Sequence, residues 1–250
     1  MQYQFAVERP DYSDLSSGRV FYSLPGHPAF PVRLASETFQ RCLAIRKTKG
    51  LTNPCILYDP CCGAAYHLGV LGYLHGKEIQ SIFASDSDAD VLPTAQRNLG
   101  LLSMEGLEAR IAEITALVNQ YGKESHREAL ESARTLRQRI EFLAQEHPIQ
   151  TDLFQADVFD RPALRKHFQG QKVDVVFSDI PYGLHSRWQA PAAMQNPLWM
   201  MLDGLLELLT PEGLVVIASD KHQKAMHEKY QRLDHFQVGK RRVVILQSRA

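Results

Sequence analysis

The sequence predicts an α/β fold of doubly wound, Rossmann-like type, a parallel sheet with helices on both faces. Three observations predict it. Short apolar runs of strand length alternate with stretches of helical periodicity along most of the chain. An aspartate closes five of those runs, at Asp59, Asp86, Asp157, Asp179 and Asp220. The stretch YDPCCGAAYHLGVLG, residues 58–72, reads as the strand–loop–helix turn that opens a nucleotide-binding sheet.

The elements follow in order. Residues 1–34 are turn-rich, with GRVFYS as a short strand and LPGHPAFPVR as an extended loop. Ser36 and Glu37, followed by Phe39, Cys42, Leu43 and Ile45, set a helix over about 35–47 that stops at Gly50. Arg46, Lys47 and Lys49 near its end serve either the helix dipole or a basic surface. CILYD (55–59) is the first strand, 63–76 a helix, and IQSIFASD (79–86) the second strand. A helix follows around Pro93. Residues 104–147 then carry two charged stretches of 3.6 periodicity broken at Tyr121–Gly122, which is a helical hairpin inserted into the alternation. DLFQAD (152–157) is a strand, RPALRKHFQG a helix and KVDVVFSD (172–179) a strand. After a long loop, Asn196 caps a helix with Pro197 in its first position. TPEG is a turn before the strand LVVIASD (214–220). HFQVGKRRVVILQSR ends the chain as two strands joined at Gly239–Lys240, adding an antiparallel strand at or inside one edge.

Composition narrows the function. The chain has 250 residues, 44% hydrophobic and 22% charged, with 28 basic against 28 acidic residues. Zero net charge argues against non-specific coating of nucleic acid or anionic membrane, but allows a local basic face. Neither a signal peptide nor a membrane span is predicted. Cys42, Cys55, Cys61 and Cys62 show no zinc-type spacing. They read as reduced thiols of a cytoplasmic protein, and no metal is expected.

In doubly wound sheets ligands bind at the carboxyl ends of the strands, so the closing acids are candidate ligand contacts. Each alone could equally cap a helix. Asp86 lies 23 residues past Gly63, near the spacing at which a carboxylate accepts from ribose hydroxyls; Asp88 is the alternative acceptor or a cap. In ADVFD, Asp157 can accept from an adenine amine, with Val158 and Phe159 along the ring. SDIPYG, residues 178–183, is the sharpest signal. The acid, then x-Pro-aromatic, makes a rigid extended turn in which a planar base stacks on Tyr182 while Asp179 accepts its hydrogen.

Together D-P-x-C-G, the acid after the second strand, A-D-V-F and D-I-P-Y resemble the class I S-adenosylmethionine-dependent methyltransferases, whose sheet has seven strands with the last antiparallel. GRVFYSLPGHPAFPVRLASETFQR, LYDPCCGAAYHLGVLGYLH, the helical insertion, ADVFD and DIPYG extend the resemblance over nearly the whole chain. These segments look like the AviRa-type 23S rRNA guanine methyltransferases, associated with resistance to avilamycin and related orthosomycins. The family loop reads C-C-G-S-G-Y, whereas this chain has Cys62-Gly63-Ala64-Ala65-Tyr66. Whether Ala65 must adopt a positive φ decides whether that change matters.

The resemblance implies one methyltransferase domain over 1–250, with an N-terminal extension and helix at 1–50 and the insertion at 104–147. It implies S-adenosylmethionine as cofactor, held by Asp59, Cys61, Gly63, Tyr66, Asp86, Asp88, Asp157 and Val158. Asp179, Pro181 and Tyr182 form the catalytic turn. His185, Arg187, Trp188 and Lys221, with His222 and Lys224 nearby, face the target, although Trp188 could be a core plug and the cations ordinary solvated charges. The implied partner is 23S rRNA or a ribosomal precursor, and the implied state a monomer. Alternatives are the same chemistry on another RNA, DNA or a protein amide, a non-catalytic RNA-binding protein, and an NAD-dependent oxidoreductase, whose pyrophosphate needs more glycines than this loop has.

Overall fold

The structure, a computed structural model, describes residues 3–180, 196–220 and 223–249. The apolar runs form β1 (Cys55–Asp59), β2 (Ile79–Asp86), β3 (Gln150–Gln155), β4 (Val173–Asp179), β5 (Leu209–Asp220), β6 (Tyr230–Val238) and β7 (Arg241–Ser248). They make one seven-stranded sheet in the order β3-β2-β1-β4-β5-β7-β6. Pairs from β3 to β5 are parallel, and β7 runs antiparallel between β5 and β6. The terminal hairpin therefore inserts its last strand inside the edge.

Strand alternation divides the core in two. Leu57, Val175, Phe177 and Val216 face one layer, while Tyr58, Val176, Val215 and Ile217 face the other. The first layer is covered by α1 (Val32–Thr48), α2 (Tyr66–His75) and α3 (Leu92–Gly100). The second is covered by α6 (Arg161–Phe168) and α7 (Pro197–Leu205). Asn196 caps α7 as its sequence position predicts, its side chain accepting from Trp199 N at 3.1 Å.

Between β2 and β3 the chain makes the hairpin α4 (Met104–Tyr121) and α5 (Glu124–Glu146). On α5, Ala129, Ala133, Leu136, Ile140 and Leu143 are buried at alternating spacings of four and three, the seam of a helix packed along a partner. That seam belongs to the same apolar cluster as the first layer of the core. Gly106 sits on the carbonyl of Gly100, where an added Cβ would come within 2.2 Å of its oxygen. Ser103 caps α4 at this same contact, accepting from Gly106 N.

Four sequence expectations need correction. GRVFYS is not a strand: the segment holds a 3₁₀ turn at Ser13–Leu15 and isolated bridges Ser17–Phe21 and Leu24–His27. Its apolar residues are buried by side-chain packing instead, Phe21 meeting the edges of Tyr66 and Tyr73 at 5.3 and 5.7 Å. TPEG is not a turn before β5 but an irregularity within it, since Leu209 pairs with Val173 and Leu214 with Val175. The helix expected from residue 63 begins at Tyr66, because Gly63 and Ala65 both have positive φ. Asp157 lies two residues beyond the end of β3 rather than closing it.

The N-terminal arm is fixed by one buried side chain. Glu37, on α1, accepts from the backbone N–H groups of Gln4, Phe5 and Ala6 at 2.7–2.8 Å and pairs with Arg41. Arg46 pairs with Asp174 at 3.1 Å and Lys49 with Glu212 at 2.5 Å, so these two cations tie α1 to the sheet rather than offering a basic surface.

Candidate active site

The strand order reverses between β1 and β4, the point where doubly wound sheets open a ligand crevice. A cleft of about 420 Å³ lies there, a size suited to a small organic ligand. Its floor is the loop after β1. Cys62 N donates to Ser85 O and Gly63 N to Asp86 Oδ2 at 2.8 Å, so the loop is fastened to the end of β2. Ala65 N donates to Cys62 O at 2.7 Å, closing a tight turn into α2. Ala65 reaches φ 51°, ψ 25°, the left-handed region. An L-residue there costs about 1–2 kcal/mol, and the buried turn holds it nonetheless. α2 starts without a side-chain cap and with no acid in its first turn, leaving its first N–H groups without side-chain partners.

The structure brings most predicted acids together and separates two. Asp86, Asp88, Asp157 and Asp179 line the cleft with Val158 and Phe159. Asp86 also accepts from Asp88 N at 3.0 Å, and Asp88 from Asp90 N at 2.9 Å. Asp157 accepts from Phe159 N, while the cap of α6 is Asp160, so Asp157 is not the helix cap. Asp59 is fully buried behind the wall; its Oδ1 accepts from Cys61 N and its Oδ2 lies 3.3 Å from His67 Nε2. Asp220 ends β5 outside the lining and accepts from Gln223 N. Cys61, Gly63 and Tyr66 line the cleft, but the Tyr66 hydroxyl donates to Leu15 O at 2.6 Å. Pro181, Tyr182, His185, Arg187, Trp188, Lys221 and His222 lie outside the described residues. Lys224 is exposed and is not part of the lining.

Sequence reasoning missed one whole wall. Tyr22, Leu24, His27, Pro28 and Phe30 of the N-terminal segment close the cleft opposite the sheet. Buried Asn98 links this wall to the loop, accepting from Tyr22 N and donating to Tyr22 O and Ala64 O. The proline-rich LPGHPAFP carries no periodicity, and its only signal was its place in the family-like segment. Arg241, at the start of β7, was also missed. Its Nη2 lies 3.7 Å from Asp179 Oδ2, and its guanidinium lies 5.3 Å from the ring centre of Phe30.

The profile of the rRNA methyltransferase AviRa family matches residues 1–241. The chain belongs to the AviRa rRNA methyltransferase family. A curated relative from Streptomyces viridochromogenes, a 23S rRNA (guanine(2535)-N(1))-methyltransferase, is 40% identical over 98% of this chain and 96% of its own length. The 1.5 Å structure of the rRNA methyltransferase aviRa from Streptomyces viridochromogenes superposes with a TM-score of 0.87 at 39% identity, covering 98% of this chain and 96% of that one. TrmN from Thermus thermophilus shares the fold alone, with a TM-score of 0.50 at 16% identity over 89% of this chain and 50% of that one. Membership in the AviRa family decides against the oxidoreductase alternative.

The electrostatics of this AviRa-family site suit binding and positioning. Burial pushes the Asp59 carboxyl well up, and that of Asp86 up against the pull of two backbone N–H groups. Burial pushes His67 down to about 4, so it stays neutral at physiological pH. Burial, with Asp59 and Asp86 nearby, pushes the Cys61 and Cys62 thiols well up, so neither is a thiolate nucleophile. A polar crevice of carboxyl groups, backbone N–H groups and one guanidinium can align a charged ligand with a planar base. Among the described residues no helix is long and apolar enough to cross a membrane.

Proposed function

We propose that the protein methylates N1 of a guanine in 23S rRNA, with S-adenosylmethionine as methyl donor. The observation that carries this reading is the full-length similarity to the guanine-N1 methyltransferase of Streptomyces viridochromogenes. The residues present fit the donor. Asp59 Oδ2 is a buried oxygen with no hydrogen bond among the described residues, and space lies open above Gly63. The uncapped start of α2 suits a carboxylate, and the oxygens of Asp59 and Asp86 can accept from ammonium and hydroxyl donors.

The bound cofactor supplies an electrophilic methyl group on a cationic sulfur. In this reading Gly63 and its neighbours Cys61 and Tyr66 form the bed for its amino-acid end, and the buried Asp59 behind them offers an acceptor oxygen. Asp86 retains acceptor capacity beyond its two backbone contacts, because a carboxylate has about four lone-pair sites. Asp86 and Asp88 take the ribose. Asp157 and Val158 take the adenine. Asp179 accepts the N1 proton of the target guanine, while Pro181 and Tyr182 of the D-I-P-Y segment fix the turn and stack on the base. His185, Arg187, Trp188 and Lys221 are assigned from sequence to the RNA side. Resistance to avilamycin-type orthosomycins is the biological readout that the family resemblance implies.

The test is transfer of labelled methyl from S-adenosylmethionine to a 23S rRNA transcript. The wild type should label the RNA, and Asp179→Ala should lose at least about 10²-fold in rate, the scale of a positioned general base. Equal labelling by the variant would remove Asp179 from the mechanism.

A further inference from the structure

Asp179 and Arg241 stand side by side in the cleft although they come from strands two places apart in the sheet. Asp179 ends β4 and pairs with Ala218 of β5. Arg241 opens β7 and pairs with Asp220 of β5. Two strand spacings are roughly 9–10 Å, so the long arginine side chain must reach back across β5 to bring Nη2 within 3.7 Å of Asp179 Oδ2. That separation allows electrostatic attraction but exceeds the length of a hydrogen bond. Arg241 Nε is buried without a hydrogen-bond partner among the described residues. The guanidinium is steadied by Phe30, itself packed edge-on against Phe177 at 5.6 Å. It is therefore a preorganised cation with unspent donors at the reacting end of the cleft.

We propose that Asp179 and Arg241 together read the Watson–Crick edge of the target guanine, and that Arg241 neutralises the charge that develops on O6 during methylation. Guanine presents an N1–H donor beside the O6 acceptor, which matches a carboxylate beside a guanidinium. Adenine presents an N1 acceptor beside an amine donor and meets both groups with the wrong polarity, leaving them unpaired. N1 gives its proton to the Asp179 carboxylate as it bonds the methyl carbon, and the carbon–sulfur bond breaks with its electron pair left on sulfur. The negative charge that the lost proton leaves across N1 and O6 falls against Arg241, a fixed cation aimed at developing charge. The ionisable groups that share the cleft with this pair are Cys61 from the loop, His67 from α2, Asp86 at the end of β2, Asp88 after it, Asp157 beyond β3 and His27 from the N-terminal wall, with Asp59 of β1 buried beside Asp179.

This inference rests on the guanine-N1 reading, and the experiment separates the two. Wild type, Arg241→Gln and Arg241→Lys are assayed on a 23S rRNA transcript at saturating RNA between pH 6 and 9. Nucleoside products are identified by mass spectrometry, and S-adenosylhomocysteine binding is measured by calorimetry. Arg241→Gln should lower kcat about 10²-fold, with S-adenosylhomocysteine affinity changed less than about threefold and the rising limb of the pH–rate profile moved to higher pH. Arg241→Lys should retain part of the rate and show the same direction of shift. If Arg241→Gln fails to bind S-adenosylhomocysteine, the lysine variant decides: a wild-type profile overturns the proposal and a shifted one supports it. A kcat and profile at wild-type values in Arg241→Gln, or a loss confined to RNA affinity, overturns it as well. Wild-type product other than N1-methylguanosine sinks the underlying reading, and that result needs no variant.

Discussion

Ala65 shows how competing small terms decide a single position. Its left-handed backbone costs about 1–2 kcal/mol. Glycine would relieve that, but would lose about 0.5–1 kcal/mol to chain entropy and about 0.8 kcal/mol for one buried methyl. Ala65→Gly should therefore change stability by less than about 1 kcal/mol in urea unfolding. S-adenosylmethionine affinity should stay within about threefold, because the backbone already has the required angle; a gain above tenfold would mean that the turn is not formed before binding. Asp59 makes the opposite kind of case. Its folded carboxyl is raised above the ordinary value of about 3.8, so the folded chain holds a proton that the unfolded chain releases. The stability tied to that proton is complete below about pH 4 and is lost as pH rises through the raised folded value. Asp59→Asn stays neutral, so in melts from pH 5 to 9 without ligand its Tm should gain on the wild type as pH increases. A constant difference would show that Asp59 is already ionised in the fold.

Elements differ in how much the chain discloses about them. Strands and helices of the sheet are legible because burial on both faces forces continuous apolar runs, and the acids that end them stand out against those runs. The hairpin is legible because its seam repeats at fours and threes. The cleft wall from Tyr22 to Phe30 is not, because its shape comes from prolines, from Asn98 on α3 and from packing of Phe21, all set by distant residues. Arg241 is hidden for a related reason: beside Lys240 and Arg242 it reads as a solvated hairpin turn, and only the insertion of β7 beside β5 turns it toward Asp179. The hairpin's attachment is testable on its own. At Gly106 the obstacle to a side chain is the backbone of Gly100, which cannot swing away as a flexible side chain would. Gly106→Ala should destabilise by about 1–3 kcal/mol, read from the urea midpoint at unchanged m-value. An unchanged midpoint would mean that α4 slides freely on α3.

At the scale of the whole molecule, the fold assembles one cleft from parts far apart in the chain. The N-terminal arm, held by Glu37, forms one wall; the loop after β1 forms the floor; the ends of β2, β3 and β4 supply the acids. Arg110 of α4 donates to the carbonyls of Val20 and Arg19, so the inserted hairpin buttresses that wall from behind. In the proposed reaction, zero net charge leaves RNA affinity to local cations, and discrimination between bases to the cleft itself. The proposed reaction is therefore read most plainly from the identity of its product. Purified protein, S-adenosylmethionine and unmethylated 23S rRNA are incubated, and the RNA is digested to nucleosides for mass spectrometry. N1-methylguanosine is expected, at one site per RNA on primer extension; methylation of another base or another guanine atom, or no methylated nucleoside at all, would overturn the proposed function.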